Sequence, residues 1–166
     1  MYTLFVVLHL ISVGVIVGLV TTMIIGTVLR KKVKGTPGEI AAIRSGAMMA
    51  PIMANIGSIG LLVTGVTMSW MNYSFFQFNS LPWLAMKQTI FVIIMAISGS
   101  VLAPTGKKIL ALSTAELATP GAAMGASSEL RAMVSRQYAV VLFVAFLVLC
   151  NMILGESKAM MWVHPQ

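Results

Sequence analysis

Four apolar stretches, each long enough to cross a bilayer, constrain this 166-residue chain more than anything else in it. They run from about Tyr2 to Leu29, Ala47 to Met71, Leu81 to Ala103 and Ala132 to Leu154. About 20 apolar residues suffice for a helical span. Lipid offers no hydrogen bonds to the backbone, so such segments must satisfy their amide groups internally as helices. The rest of the composition agrees, with 58% hydrophobic and 9% charged residues, where a soluble domain carries roughly 25% charged. An ordinary soluble domain, a disordered chain and a nucleic-acid-binding arm are excluded, so no nucleic-acid partner is expected. The expectation is an all-α integral membrane four-helix bundle, one transmembrane domain over residues 1–166. A single cysteine, Cys150, rules out an internal disulfide.

The first stretch is too long for a signal peptide and lacks a basic leader. Arg30, Lys31 and Lys32 follow it directly, a stop-transfer pattern that predicts a retained helix. The connection Arg30–Arg44 holds Arg30, Lys31, Lys32, Lys34 and Arg44 against Glu39, and Pro104–Arg136 holds Lys107, Lys108, Arg131 and Arg136 against Glu116 and Glu129. The connection Asn72–Ser80 has no charge, and Glu156 and Lys158 cancel in the tail. The basic connections should face the cytoplasm, and both termini and the short middle connection the outer side. Trp70, Tyr73, Trp83 and Trp162 fall where an outer aromatic belt would lie. Thr36-Pro37-Gly38-Glu39 reads as a capping box that starts the second helix well before its apolar part. Ser128 followed by Glu129 is a candidate cap for the fourth. Thr119–Ser128, rich in Gly, Ala and Ser, reads as a flexible connection.

Polar groups inside the spans carry the functional signal, because a basic side chain in hydrocarbon costs on the order of 2–3 kcal/mol. The informative pair is His9 and Lys87. His9 lies roughly 10 Å into the first helix, and Lys87 lies at a similar depth in the third, counted from the same side, so the two helices are expected to be neighbours with something anionic or metallic between these groups. Lys87 could snorkel past Trp83, which shares its face at i−4, or neutralise an anion. His9 could be a neutral imidazole bonded to a neighbouring helix carbonyl, or hold haem iron as a lone histidine in a bundle does. Ser12, at i+3, leaves room beside it. Candidates for a second axial position are Met68, Met71, Met86 and, were the tail to fold back, His164. Gly14 and Gly18 form a GxxxG pattern suited to close packing inside the chain or against another subunit or copy. Gly57, Gly60 and Gly65 suit the same work on the second helix. Pro51 is expected to kink that helix, and Asn55 and Asn151 are candidate bridges between helices. No carboxylate lies in the middle of a span, which argues against a proton pump.

In order, Leu8-His9-Leu10-Ile11-Ser12-Val13-Gly14, Met49-Ala50-Pro51 leading to Leu62-Val63-Thr64-Gly65, and Pro82-Trp83-Leu84-Ala85-Met86-Lys87 resemble a group of small bacterial four-helix membrane proteins. The group comprises the HemJ-type protoporphyrinogen oxidases, the CopD-like copper-resistance membrane domain and an uncharacterised related family. The resemblance extends to about Lys108. It implies a b-type haem near a first-helix histidine and a third-helix lysine, here His9 and Lys87, and oxidation of protoporphyrinogen to protoporphyrin. The expected function is therefore haem-b- or porphyrin-associated redox work. His9 would be the iron ligand, Lys87 would be a propionate or substrate-anion partner, and Ser12 and Trp83 would line the cofactor. Alternatives are a non-catalytic subunit of a larger membrane complex and, by analogy with the CopD-like domain, copper handling.

Overall fold

The structure is a computed structural model that describes residues 2–72, 75–76, 82–119 and 125–161, with side chains as far as Gly155. It is all-helical: α1 (Tyr2–Lys32), α2 (Pro37–Asn72), α3 (Pro82–Ile97), a π-helical turn (Ser98–Leu102), α4 (Ala103–Ala118) and α5 (Ser128–Met161). The segment from α3 to α4 is one continuous helix. Among the described residues, four helices are therefore long and apolar enough to cross a membrane, and each is longer than its apolar run. The third was expected to stop at Ala103, before Pro104. It instead continues to Ala118, because the turn before the proline widens. Ala103 donates its N–H to Ser98, five residues back, and a wider turn accommodates a residue that has no N–H to give.

The widened turn also re-aims the helix. One extra residue rotates everything after it by roughly 100°. Before the turn, α3 packs on α5; after it, α4 packs on α2 and, more lightly, on α5. The helix α1 lies along α2 and touches α5 only lightly. The expected pairing of the first and third helices as packed neighbours is thus replaced by two tight pairs, α1 with α2 and α3 with α5, joined through α4.

A cluster of buried hydrophobic residues lies at the end that carries nearly all the charge. Ile40, Ile43, Ile109, Ala126 and Leu130 form a core there, flanked by Ala47, Leu112, Met133 and Val134. Glu39, 5% exposed, is the hub of this end. Its carboxylate accepts from Arg131 Nε at 2.9 Å and Nη2 at 2.7 Å, from the Gly35 N–H at 2.9 Å and from the Ala126 N–H at 3.4 Å. The hydrogen bonds from Arg131, with the two amide donors behind them, outweigh burial and hold this carboxyl well below its ordinary 4.5, at about 2. The capping box is thus only half made. Pro37 does open α2, but the Thr36 hydroxyl turns back to the Val33 carbonyl at 2.7 Å, and Glu39 reaches Gly35 instead of Thr36.

At the start of α5 the cap is Ser127, one residue earlier than expected. Its Oγ accepts the Leu130 N–H at 3.1 Å and donates to Glu116, which also takes the Ser127 N–H at 3.1 Å. Within the connection expected to be flexible, residues 120–124 lie outside the described residues. From Gly125 the chain is pinned: Gly125 has φ +79, and a Cβ there would come within 2.8 Å of the Gly35 backbone, so only glycine fits.

Through the spans the pattern inverts. Leu10, Ile56, Ile59 and Phe146 are exposed, while Ser12, Thr64 and Ser69 are buried. Lipid is as apolar as leucine, so nothing drives leucine inward; small and polar side chains mark the helix contacts instead. Trp70 projects outward, 81% exposed, as a belt residue would, but Trp83 is buried. The placement of Trp83 in the belt is corrected accordingly: α3 turns it toward the bundle. Tyr73 and Trp162 lie outside the described residues. The helix α2 continues unbroken through Pro51. Asn55 is exposed and makes no bridge among the described residues, whereas Asn151 donates from α5 to the Lys87 carbonyl at 3.2 Å.

Candidate functional site

Close approach of α1 and α2 builds the His9 environment. Cβ atoms at Gly57 and Gly60 would overlap the Ile16 and Ser12 side chains respectively, so both glycines are where the backbone of α2 meets α1. Ser12 fits there by bonding its hydroxyl to its own helix, at Leu8 O, 2.9 Å away. The room expected beside the small Ser12 side chain is therefore taken by the α2 backbone at Gly60. One turn toward the other end of this contact, His9 Nδ1 lies 2.8 Å from Thr64 Oγ1. Gly65 leaves space next to the imidazole, where an added Cβ would stand 3.8 Å from Cε1.

Counting protons fixes the roles in this chain of bonds. Thr64 has one hydroxyl proton, and its Oγ1 lies 2.6 Å from the Gly60 carbonyl, which can only accept. That proton goes to Gly60, as for a threonine bonding back into its own helix. His9 Nδ1 must then carry its own proton and donate to Thr64. In the neutral ring, Nε2 is left with its lone pair. The reading of His9 as bonded to a neighbouring helix holds, with a side-chain hydroxyl in place of a carbonyl as partner. It does not exclude ligation, because only one ring nitrogen is used.

Lys87 enters from the other helix pair. Its Nζ lies against α5 at Gly155, where a Cβ would come within 2.8 Å of the ammonium. The next residue, Gln88, ties this end together: its Oε1 accepts the Phe76 N–H at 2.8 Å, and its Nε2 donates to Ser69 Oγ on α2 at 3.3 Å. His9, Thr64, Trp83 and Lys87 therefore belong to one end of the bundle, with Ser12 one turn deeper. Of the methionines considered for a second axial position, Met68 is half-buried four residues after Thr64, while Met71 and Met86 are exposed. His164 lies outside the described residues. No group of three or more His, Cys, Asp or Glu that could hold a metal ion occurs among the described residues. A Cβ added at Gly14 or Gly18 would meet nothing within 4 Å among the described residues, so that face is open there.

Sequence reasoning missed Thr64, Gln88 and Gly155 as parts of this end. Thr64 and Gln88 carried the same signal as His9, a polar group within or beside a span. Gly155 carried none, because its role depends on Lys87, far away in sequence. Comparison with models of known protein families, with curated proteins and with solved structures gives no match.

Proposed function

We propose that this chain is a haem-b- or porphyrin-associated redox protein of a bacterial inner membrane, with both termini on the periplasmic side. The observation that carries the proposal is the His9–Thr64–Gly60 relay, which orients one imidazole and reserves its Nε2 lone pair, with Lys87 toward the same end of the bundle. The donor set fits a b-type haem in kind: a neutral histidine with its second nitrogen hydrogen-bonded, as iron-ligating histidines are, and a lysine suited to a carboxylate. When bound, the haem supplies one-electron chemistry at iron. The protein's part is to hold it. His9 would hold the group through Nε2, Thr64 would keep the ring in one tautomer and orientation, and the half-buried Met68 would be a candidate second ligand. Lys87 neutralises a propionate or an anionic porphyrin substrate in surroundings where such a pair is stronger than in water. Trp83, on the face of Lys87, offers an aromatic wall.

The test is a reduced-minus-oxidised optical spectrum of the full chain purified in mild detergent, with a pyridine extract for haem. The expected result is a Soret and α-band signal that His9→Ala abolishes, that Thr64→Val weakens, and that a control change at the far glycine face, Gly14→Ala, leaves alone. A purified chain without haem in the extract, or a spectrum indifferent to His9→Ala, overturns the reading.

A second reading, a non-catalytic subunit of a larger membrane complex, draws on the open Gly14/Gly18 face. Small residues at this spacing let two helices approach closely in lipid, where packing rather than the hydrophobic effect drives association. Native mass measurement separates the two: a lone monomer carrying haem supports the first, and a haem-free chain that co-purifies with a partner supports the second.

A further inference from the structure

At the charged end, a cavity of about 340 Å³ opens between the end of α1, the start of α2 and the first turns of α5. Arg30, Lys31 and Lys34 supply positive charge from α1 and the residues after it, and Ser135 and Tyr138 supply hydroxyls from α5. Its remaining pair of charges, Glu39 and Arg131, cancel each other through the bidentate bridge already described. The three other cations are left to set its field. Arg30 is half-buried and held in place, its Nε donating to Gly26 O at 3.2 Å and its Nη2 to Thr27 Oγ1 at 2.6 Å. Those bonds leave guanidinium donors of Arg30 over and point the group along the cavity wall.

We infer that this cavity binds the phosphate of an anionic membrane lipid. Three observations meet here. The cations stand where the apolar run of α1 ends at Leu29, the level at which lipid phosphates lie. The lining also includes Ile43 and Val134, apolar surface suited to the glycerol and first methylenes of a chain rather than to a free hydrated ion. The volume lies at the small end for ligand cavities, enough for a headgroup and too small for a large planar cofactor. Basic pockets between transmembrane helices recognise phosphate headgroups through this combination of charge and position. This inference is independent of the haem reading, because no residue is shared with the His9 end.

The experiment measures lipid retained by the full chain in a neutral detergent, by native mass spectrometry, with phosphatidylglycerol and phosphatidylcholine of matched acyl chains. Phosphatidylglycerol should be retained about tenfold better. Each cation near the headgroup contributes about fivefold, so Arg30→Gln with Lys34→Gln should lower retention by at least about tenfold. Arg30→Lys, which keeps the charge, should retain most of it. Lys34→Gln alone, at an exposed position with no packing to lose, should show the about fivefold share by itself. Lys107→Gln with Lys108→Gln removes equal charge outside the cavity and should change nothing. Three results overturn the inference: equal retention of the two lipids, an equal loss in the Lys107/Lys108 control, which would mean diffuse attraction, or displacement of the lipid by millimolar inorganic phosphate, which would mean a site for free anions.

Discussion

The two ends of this bundle are held together by different physics. At the charged end, Ile40, Ile109 and Leu130 are almost wholly buried, Glu39 gathers four hydrogen-bond donors, and α2, α4 and α5 meet around them. It is built like a small soluble core. At the His9 end, two helix pairs stand side by side, and a polar bond, Gln88 to Ser69, joins them. Most large apolar side chains there face outward, with Trp83 turned inward. Stability therefore resides at one end and the chemically interesting groups at the other. Mutations should divide along the same line, and a mutation that does not divide this way breaks the comparison.

The largest effect should come from Glu39→Ala. It strips partners from Arg131, Gly35 and Ala126 at once, and losing hydrogen bonds to a buried charge costs on the order of 3 kcal/mol. Thermal unfolding in detergent should shift far more than for His9→Ala, which leaves only the Thr64 hydroxyl oxygen short of one donor. Equal shifts would mean the ends are not distinct. The same carboxylate sets a pH dependence. Its pKa is lowered from 4.5 to about 2 in the folded state. The folded chain therefore resists protonation, and the stabilisation is complete above about 4.5 and is lost as pH falls from there toward about 2. Glu39→Gln should flatten the acid limb of the stability curve while leaving the neutral limb lower than in the parent chain.

Next in size is Gly60→Ala. A methyl group there meets the Ser12 side chain, and forcing α1 off α2 should cost about 2 kcal/mol. Because the Thr64–His9 bond depends on the same contact, any haem signal should weaken in step. Ser12→Ala with Gly60→Ala should recover part of the stability, since the obstructing hydroxyl is gone. If the double variant regains stability but not the spectrum, the helix contact matters for orienting His9 and not merely for holding the fold.

Much of the architecture was legible because a bilayer leaves few choices. Four apolar runs had to be four helices, and the polar residues inside them were worth naming. His9 and Asn151 do reach neighbouring helices, whereas Asn55 does not. What stayed hidden depended on rotation about helix axes and on partners far apart in the chain. The widened turn before Pro104 rotates α4 relative to α3, and no apolar pattern records one extra residue. Apolar periodicity is weak when lipid surrounds the helix, so the pairing of α1 with α2, and not with α3, could not be read either. The Glu39–Arg131 bridge joins residues 92 apart in sequence. Ser127 won the cap over Ser128 because Glu116, on another helix, accepts its proton.

The smallest expected stability change gives the sharpest test of the contrast. Gly155→Ala places a Cβ 2.8 Å from Lys87 Nζ. The obstacle is the far end of a flexible side chain, which can swing aside, and glycine to alanine within a helix favours folding by up to about 1 kcal/mol. Unfolding should therefore be unchanged or slightly improved. The ammonium, however, must leave its place on α5. If Lys87 neutralises a bound anion from that place, the reduction potential or affinity of any haem should move with the substitution, in the direction produced by Lys87→Met but less far. A stable Gly155→Ala chain whose optical and redox signature matches the parent would place the Lys87 cation outside the site. His9 and Thr64 would then carry the functional proposal without it.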